Sequence, residues 1–396
     1  MLTVEEAKKL LFNQILKSDI FEIAIESAFG NVLAEDIYSP IDLPLFDQSS
    51  VDGYALTFDK IEEYTKFEII EEIKAGDSTT IRLKPGQCVR IFTGAMVPQT
   101  ANLIVMQEFV NANEGFITLG HDFKPGNYLR KKGTQIQKGE LAVSKDTFLN
   151  PGVIGFISSL GISKLKIYKK PIVSLIVTGN EIIKPGNKLE MGQIYESNSF
   201  ALQAALRQQQ IEALHVLNAR DTREDLDNQL SLALKDSEVI LLTGGISVGD
   251  YDLVYDALKD AGADTIFYKV AQRPGKPLWA GRLGKKMIFA LPGNPASVMV
   301  CFYEYVYPTL RMMRGFANPH LQTVHLNPAK EINDPGERAS FLRAKITEEN
   351  VTPLEKQDSG MMMSFASGNA LIYVPIDKKY IAKDEIVEVH LLPFEG

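Results

Sequence analysis

Between residues 171 and 310, short apolar runs alternate with helix-patterned segments. The runs at 172–177, 211–216, 238–242, 265–270 and 287–290 have the length and content of buried strands. The intervening segments at 199–209, 222–235 and 252–260, and the one starting at Pro295, carry apolar side chains at helical spacing. Such a repeat closes as a mostly parallel sheet with helices on its faces. Ligands of these sheets sit beyond the carboxyl ends of the strands. The loops after Val177, Leu242, Val270 and Ala290 are therefore expected to line one edge and one pocket.

The rest of the chain has a different texture. Residues 3–17 read as a helix, with Thr3 and Glu6 as a capping-box pair and Val4, Ala7, Leu10, Leu11 and Ile15 on one face. The pattern does not say which domain that face packs on. A loop-rich stretch with Pro40 and Pro44 follows. From 54 to 145, short alternating runs are broken by turns at Ala75-Gly76-Asp77, Lys84-Pro85-Gly86, Asn113-Glu114-Gly115, Lys124-Pro125-Gly126 and Lys138-Gly139, the pattern of a small β-rich module inserted into the first domain. Past 326, runs punctuated by Pro353, Gly360, Gly368 and Pro375 suggest a small β-domain, with Met361-Met362-Met363 as core filler. The division expected is an N-terminal domain of 1–45 and 144–170, an inserted β-rich module of 46–143, an α/β domain of 171–325 and a C-terminal β-domain of 326–396.

A net charge of −8 argues against nucleic acid as a partner, where a basic patch supplies most of the affinity. No run of about 18 apolar residues is present, so no membrane span is expected. Acidic Glu5 and Glu6 stand where a signal peptide would be apolar, which makes the cytoplasm the expected location. Cys88 and Cys301 are far apart and read as reduced, partly buried thiols rather than a disulfide or metal site. His320 and His325 lack a third ligand type nearby and are not read as a metal site.

Four loops on the inferred sheet edge carry chemistry. Gly244-Gly245-Ile246-Ser247-Val248-Gly249-Asp250-Tyr251-Asp252 exposes backbone N–H groups ahead of a helix N-terminus, an arrangement suited to phosphate. Thr178-Gly179-Asn180-Glu181 delivers polar side chains and a carboxylate. Gln272-Arg273-Pro274-Gly275-Lys276-Pro277 bends rigidly around two cations that suit phosphate oxygens. Leu291-Pro292-Gly293-Asn294-Pro295-Ala296-Ser297 opens a helix with Pro295 near its first position. Each alone reads as an ordinary turn; four in order on one edge read as a site. Upstream, Asp52-Gly53 is a turn presenting a carboxylate that could hold a divalent cation or orient a water. Thr93-Gly94 presents a hydroxyl.

Asp52-Gly53-Tyr54-Ala55, Phe92-Thr93-Gly94-Ala95, the Gly244–Asp252 loop, Pro274-Gly275-Lys276-Pro277 and Leu291-Pro292-Gly293-Asn294-Pro295, in this order, resemble the molybdopterin molybdotransferase family, the MoeA family, which includes the E domain of gephyrin. The resemblance spans residues 3–310, followed by a C-terminal β-domain of the right size. It implies a multidomain α/β protein: a central βαβ parallel-sheet, molybdopterin-binding domain, an inserted β-rich module, an elongated N-terminal domain for dimerisation and a small C-terminal β-domain. The implied reaction converts adenylylated molybdopterin and molybdate to molybdenum cofactor and AMP, with Mg²⁺. It also implies a homodimer in which Asp52 reaches the sheet edge of the other subunit. Transient contacts with a molybdopterin adenylyltransferase and with molybdoenzyme chaperones would accompany that role.

With the motifs, the resemblance places Asp52, Glu181 and Thr93 in catalysis and Asp52, Glu181 and Asp252 on the cation. The pterin nucleotide falls to Thr178, Gly179, Asn180, Ser197, Asn198, Gly244, Gly245, Ser247, Gly249, Asp250, Arg273, Pro274, Gly275, Lys276, Pro292, Gly293, Asn294 and Pro295. Two departures matter: the family's Thr-Gly-Asp-Glu is Thr178-Gly179-Asn180-Glu181 here, and its Arg-x-x-Gly-x-Asp ends in Gln135. Both read as tuning of the metal affinity. Two other functions compete. An adenylyltransferase shares the βαβ fold, but its phosphate loop reads Gly-Gly-Thr-Gly where this chain has Gly244-Gly245-Ile246-Ser247. A non-catalytic pterin-binding scaffold is suggested by Asn180 and Gln135.

Overall fold

The computed structural model describes residues 1–120, 123–246 and 253–394. In the central domain, alternate residues of each strand point to opposite faces. Val173, Leu175, Leu241 and Phe289 enter one core, while Ile176, Ile240, Leu242 and Ile288 enter another. Burial on both faces is why these strands read as continuous apolar runs. Helix Asn198–Gln208 covers the first face through Leu202, Ala205 and Leu206. Helices Arg223–Asp236 and Leu253–Asp260 cover the second through Leu226, Leu230, Val254 and Leu258.

The six-stranded sheet runs in the order Ala213–Ala219, Val173–Thr178, Val239–Thr243, Lys286–Leu291, Trp279–Leu283, Asp264–Tyr268. The first four are parallel. Trp279–Leu283 opposes both its neighbours, so Asp264–Tyr268 points the same way as the parallel set. The antiparallel strand has no counterpart in the strand–helix alternation; it forms a hairpin with Lys286–Leu291 through Gly284-Lys285. The run expected at 265–270 ends at Tyr268, because Lys269 takes a left-handed conformation (φ 67°). Successive connections leave Val173–Thr178 on opposite sides, which opens a crevice between its carboxyl end and that of Val239–Thr243.

The helix expected over 3–17 is shorter, Val4–Phe12. Thr3 and Glu6 cap each other as the sequence suggests, and the helix stops at Asn13, a poor helix former whose N–H still reaches the Lys9 carbonyl. Its buried face (Val4, Ala7, Leu11) joins the core of the central sheet. Beyond it, the outgoing and returning chain form a ribbon: Ile20–Ala24 pairs with Lys164–Tyr168, Ile37–Tyr38 with Leu141–Val143 and Gln48–Ser49 with Leu129–Arg130, all antiparallel. The ribbon leads to a six-stranded sheet ordered Leu103–Met106, Gly53–Leu56, Gln87–Ile91, Phe67–Ile73, Phe116–Leu119, Val110–Asn113.

At the C-terminal end, Ala339–Ile346 pairs with both Asn350–Pro353 and Ala370–Val374. The latter leads through Val387–Leu391 and Thr323–Pro328 back to Asn350–Pro353, so these strands close into a small barrel around Ile372, Val351 and Val389. Of the three consecutive methionines, Met361 and Met363 are exposed and only Met362 packs on the core. They sit at the start of a short surface helix, Met363–Ser367, which turns two of them outward. Both cysteines are fully buried rather than partly so, and burial pushes the Cys88 thiol up to about 12. Among the described residues no helix is long and apolar enough to cross a membrane.

Candidate functional site

At the crevice, Gly244 and Gly245 take left-handed conformations (φ 84° and 65°). A Cβ on Gly244 would lie 2.7 Å from the Thr178 carbonyl oxygen, and one on Gly245 2.9 Å from Thr178 Oγ1. The turn is therefore glycine both by conformation and by space, and it packs the two loops into one edge. Gly244→Ala is expected to cost about 1–3 kcal/mol in unfolding free energy from the strained φ, measurable by denaturant titration. Asn198 donates from Nδ2 to the Gly293 carbonyl (2.9 Å), tying the last loop to the same edge, while its buried Oδ1 has no partner among the described residues. Ser197 is exposed and does not cap its helix; Glu196 does that work, accepting from the Ser199 N–H and hydroxyl.

The loops after Leu242, Val270 and Ala290 converge on a cleft of about 630 Å³, lined by Ile246, Arg273 to Pro277, Pro292, Gly293, Asn294 and Ser297. Ser197, Asn198, Gly244, Gly245 and Pro295 do not line it, and neither do Thr178, Gly179, Asn180 and Glu181. The latter lie behind the glycine turn, where Asn180 and Asp221 exchange hydrogen bonds between side chains and backbone (3.1 and 3.2 Å) and Glu181 stays exposed. Ser247, Gly249, Asp250 and Asp252 lie outside the described residues.

The barrel supplies the opposite wall: Arg338, Gln357, Asp358 and Ser359, none of which sequence reasoning picked out. Two contacts weld this wall on. Gln272 and Arg273 pair in parallel with Ala339 and Ser340, and the Arg273 guanidinium meets Asp334 at 3.0 Å. Arg273 thus arrives with its charge partly answered, whereas Lys276 and Arg338 add positive charge to the lining. The helix at Pro295–Cys301 begins with proline as expected, but the Ala296 and Ser297 N–H groups donate to the Ser359 carbonyl (3.0 and 3.3 Å) and Asn294 donates to Ser359 Oγ (2.7 Å). Those donors hold the wall instead of facing open solvent.

Gln272, named within its loop but given no role by sequence reasoning, is a further residue of this kind. Fully buried, it donates to the Pro274 and Gly275 carbonyls (3.1 and 3.4 Å) and accepts from the Tyr305 hydroxyl, so it fixes the loop that presents Lys276. The loop at 356–358 is held likewise by buried Arg343, which donates to the Lys356 and Asp358 carbonyls (3.3 and 3.0 Å). An amide directly before Arg-Pro-Gly was the available signal for Gln272; no local signal marks Arg343.

Asp52 and Thr93 lie on the β-module and do not line this cleft. The Thr93 N–H and hydroxyl both donate to Asp52 Oδ1 at 2.8 Å. First the backbone and then the hydroxyl bond hold this carboxyl below its usual range, so the exposed side chain is ionised and aimed. Gln135 is exposed, with its N–H donating to the Leu43 carbonyl. Among the described residues no group of three or more His, Cys, Asp or Glu is arranged to hold a metal ion.

Residues 2–161 match the family model for the MoeA N-terminal region (domains I and II), 174–312 that for a probable molybdopterin binding domain, and 328–392 that for the MoeA C-terminal region (domain IV). The chain is 30% identical over 411 residues to a molybdopterin molybdenumtransferase of Nostoc sp., covering 99% of this chain and 94% of that one. It is 30% identical over 406 residues to the molybdopterin molybdenumtransferase of Bacillus subtilis, covering 99% and 94%. The crystal structure of a molybdopterin biosynthesis MoeA protein from Pyrococcus horikosii superposes with a TM-score of 0.87 at 31% identity over the full length of both chains. A β-module on a paired ribbon, a parallel-sheet domain with a glycine turn at its switch point and a closing barrel are thus shared along the whole chain, and this chain belongs to the MoeA family.

Proposed function

We propose that this protein inserts molybdenum into molybdopterin, taking adenylylated molybdopterin and molybdate as substrates and releasing AMP. The observation that carries the reading is the cleft in which Arg273, Lys276 and Arg338 converge beside the glycine turn. Both substrates are anions, and bringing molybdate to an anionic dithiolate requires fixed positive charge to offset their repulsion. In this reading Lys276 and Arg338 attract and orient the anions, the glycine turn offers backbone N–H groups to phosphate, and Asn198 holds the loop at Gly293 that lines the cleft.

Asp52 orients the attacking water in this reading, from the β-module of the other subunit of a homodimer. Exposed Leu16, Ile20, Phe21, Phe29, Tyr38 and Leu141 on and near the paired ribbon support such an interface, since exposed apolar side chains gathered on one element favour association. Mg²⁺ fits the donors present: it is commonly held by one or two carboxylates together with substrate phosphates. Asp52 and Glu181 would hold it, and Asp252, outside the described residues, is the third candidate. When bound it neutralises the charge developing at the phosphoanhydride. Asn180, engaged with Asp221, positions the Glu181 loop in place of a carboxylate ligand. A cytoplasmic location and transient contacts with the adenylyltransferase and with molybdoenzyme chaperones complete the proposal.

The test is AMP release from adenylylated molybdopterin with and without molybdate, with Mg²⁺ present and removed. Release that requires both is expected. Release indifferent to molybdate would sink the proposal, and binding without turnover at any Mg²⁺ concentration would favour the scaffold reading. The adenylyltransferase alternative predicts ATP turnover on non-adenylylated pterin; it is disfavoured by the match to molybdenumtransferases along 99% of the chain.

A further inference from the structure

Away from the cleft and sharing none of its lining residues, a cavity of about 470 Å³ opens where the N-terminal ribbon, the end of helix Asn198–Gln208 and the segment after Tyr307 meet. That volume lies within the range of small-ligand sites. Phe148 and Phe316 form an aromatic wall, with ring centroids 5.6 Å apart. Arg311 stacks on the Phe316 ring at 3.8 Å, which fixes the plane of its guanidinium. Its Nη2 donates to the Asn318 carbonyl (3.0 Å), while its buried Nε has no partner among the described residues. Arg314 is 3% exposed; its guanidinium donates to the Gln209 and Gly30 carbonyls (2.7 Å each) and lies 5.0 Å from the Phe316 ring. The cavity's carboxylate, Asp146, is already held by Lys17 and by the Tyr168 hydroxyl. Gln209 is 6% exposed, and neither atom of its side-chain amide has a partner among the described residues.

One buried guanidinium, Arg314, is answered by carbonyls alone, beside the half-buried Arg311, which has Tyr307 and a carbonyl as neighbours but no carboxylate. This is costly, because a buried charge without an opposite charge loses its hydration uncompensated. Burial, and then the charge of Arg311, bring the Arg314 guanidinium down to about 10, and burial with Arg314 lowers neighbouring Lys170. The same space offers aromatic faces and an amide with donor and acceptor unspent. We propose that this cavity is a second ligand site for a small organic anion on a flat, unsaturated body. The anion takes the Nε side of Arg311, and the ring lies against Phe148 and Phe316.

Phenyl phosphate is the probe, titrated calorimetrically into the intact protein alongside inorganic phosphate and phenol. Saturable binding of phenyl phosphate is expected, with inorganic phosphate and phenol each at least tenfold weaker. Arg311→Met should weaken it tenfold or more and Phe148→Ala, at the 40% exposed rim, several-fold. Lys276→Ala, in the other cleft, should leave it unchanged. If Arg311→Met does not fold, Arg311→Lys and Phe148→Ala carry the test. No saturable binding, or binding lost in Lys276→Ala and retained in the Arg311 and Phe148 variants, would overturn the proposal. Equal affinity for inorganic phosphate would overturn the flat body.

Discussion

Asp52→Ala is expected to remove molybdate-dependent AMP release, by about a hundredfold or more, in a protein that still folds and still binds the pterin nucleotide. The side chain is exposed, so no core is disturbed. What is lost is a carboxylate preset by the Thr93 N–H and hydroxyl, both at 2.8 Å, and held ionised below its usual range by those bonds. Because the shift is downward, the carboxylate is present above the usual range of the free group and is lost only as pH falls through its lowered value. Asp52 therefore sets no limit on activity near neutrality. Thr93→Val keeps the backbone donor and should cost much less, about tenfold. Mixing Asp52→Ala subunits with Lys276→Ala subunits separates the two possible geometries. Activity regained on mixing means a site built by two chains, whereas two inactive proteins that stay inactive together would place Asp52 on its own chain's cleft.

Glu304→Gln is expected to cost about 3–5 kcal/mol of unfolding free energy, the cost of breaking a buried charge network at one member. Glu304 is 3% exposed and meets Lys8 of the first helix at 2.6 Å and His390 of the barrel at 2.7 Å; His390 in turn meets Glu388 at 2.8 Å. The cluster joins the N-terminal helix, the central domain and the barrel. Burial opposes both charged forms, yet Lys8 and His390 bring Glu304 down to about 2, and Glu304 and Glu388 bring His390 up to about 9. A raised histidine stabilises fully below its ordinary 6.5, and that contribution fades as pH climbs through about 9. A depressed carboxyl stabilises above its ordinary 4.5, and that contribution fades as pH falls toward about 2. Thermal unfolding followed from pH 5 to about pH 10 should show the melting temperature declining on the alkaline side. Glu304→Gln should flatten that decline. A wild-type profile level through pH 9 would remove His390 from the account.

Much of the sheet edge was legible because its causes are local. The strands at 173–178, 239–243 and 286–291 announce themselves by buried apolar runs, and Gly244-Gly245 by a backbone conformation that other residues avoid. The capping pair Thr3 and Glu6 is likewise a property of residues three apart. Sequence reasoning went wrong where the deciding partner is remote or the local rule is weak. It ran the first helix past Asn13, passed over the strand Trp279–Leu283 and put all three methionines in the core.

What the sequence determined by itself was family, fold class and the groups available: a parallel sheet, glycine-rich turns at its edge, two cations flanking Pro274-Gly275 and carboxylates at Asp52 and Glu181. Tertiary structure decided how these groups are spent. It paired Arg273 with Asp334 and Asn180 with Asp221, turned the Ala296 and Ser297 N–H groups onto Ser359, and closed the cleft with Arg338 and Asp358 from the barrel. It also seated the first helix on the central core through Lys8 and Glu304. Turn conformation and strand period are set within a few neighbouring residues, so they leave a pattern in the chain. An ion pair or a cleft wall joins residues tens or hundreds of positions apart, and only the packed structure brings their charges within reach.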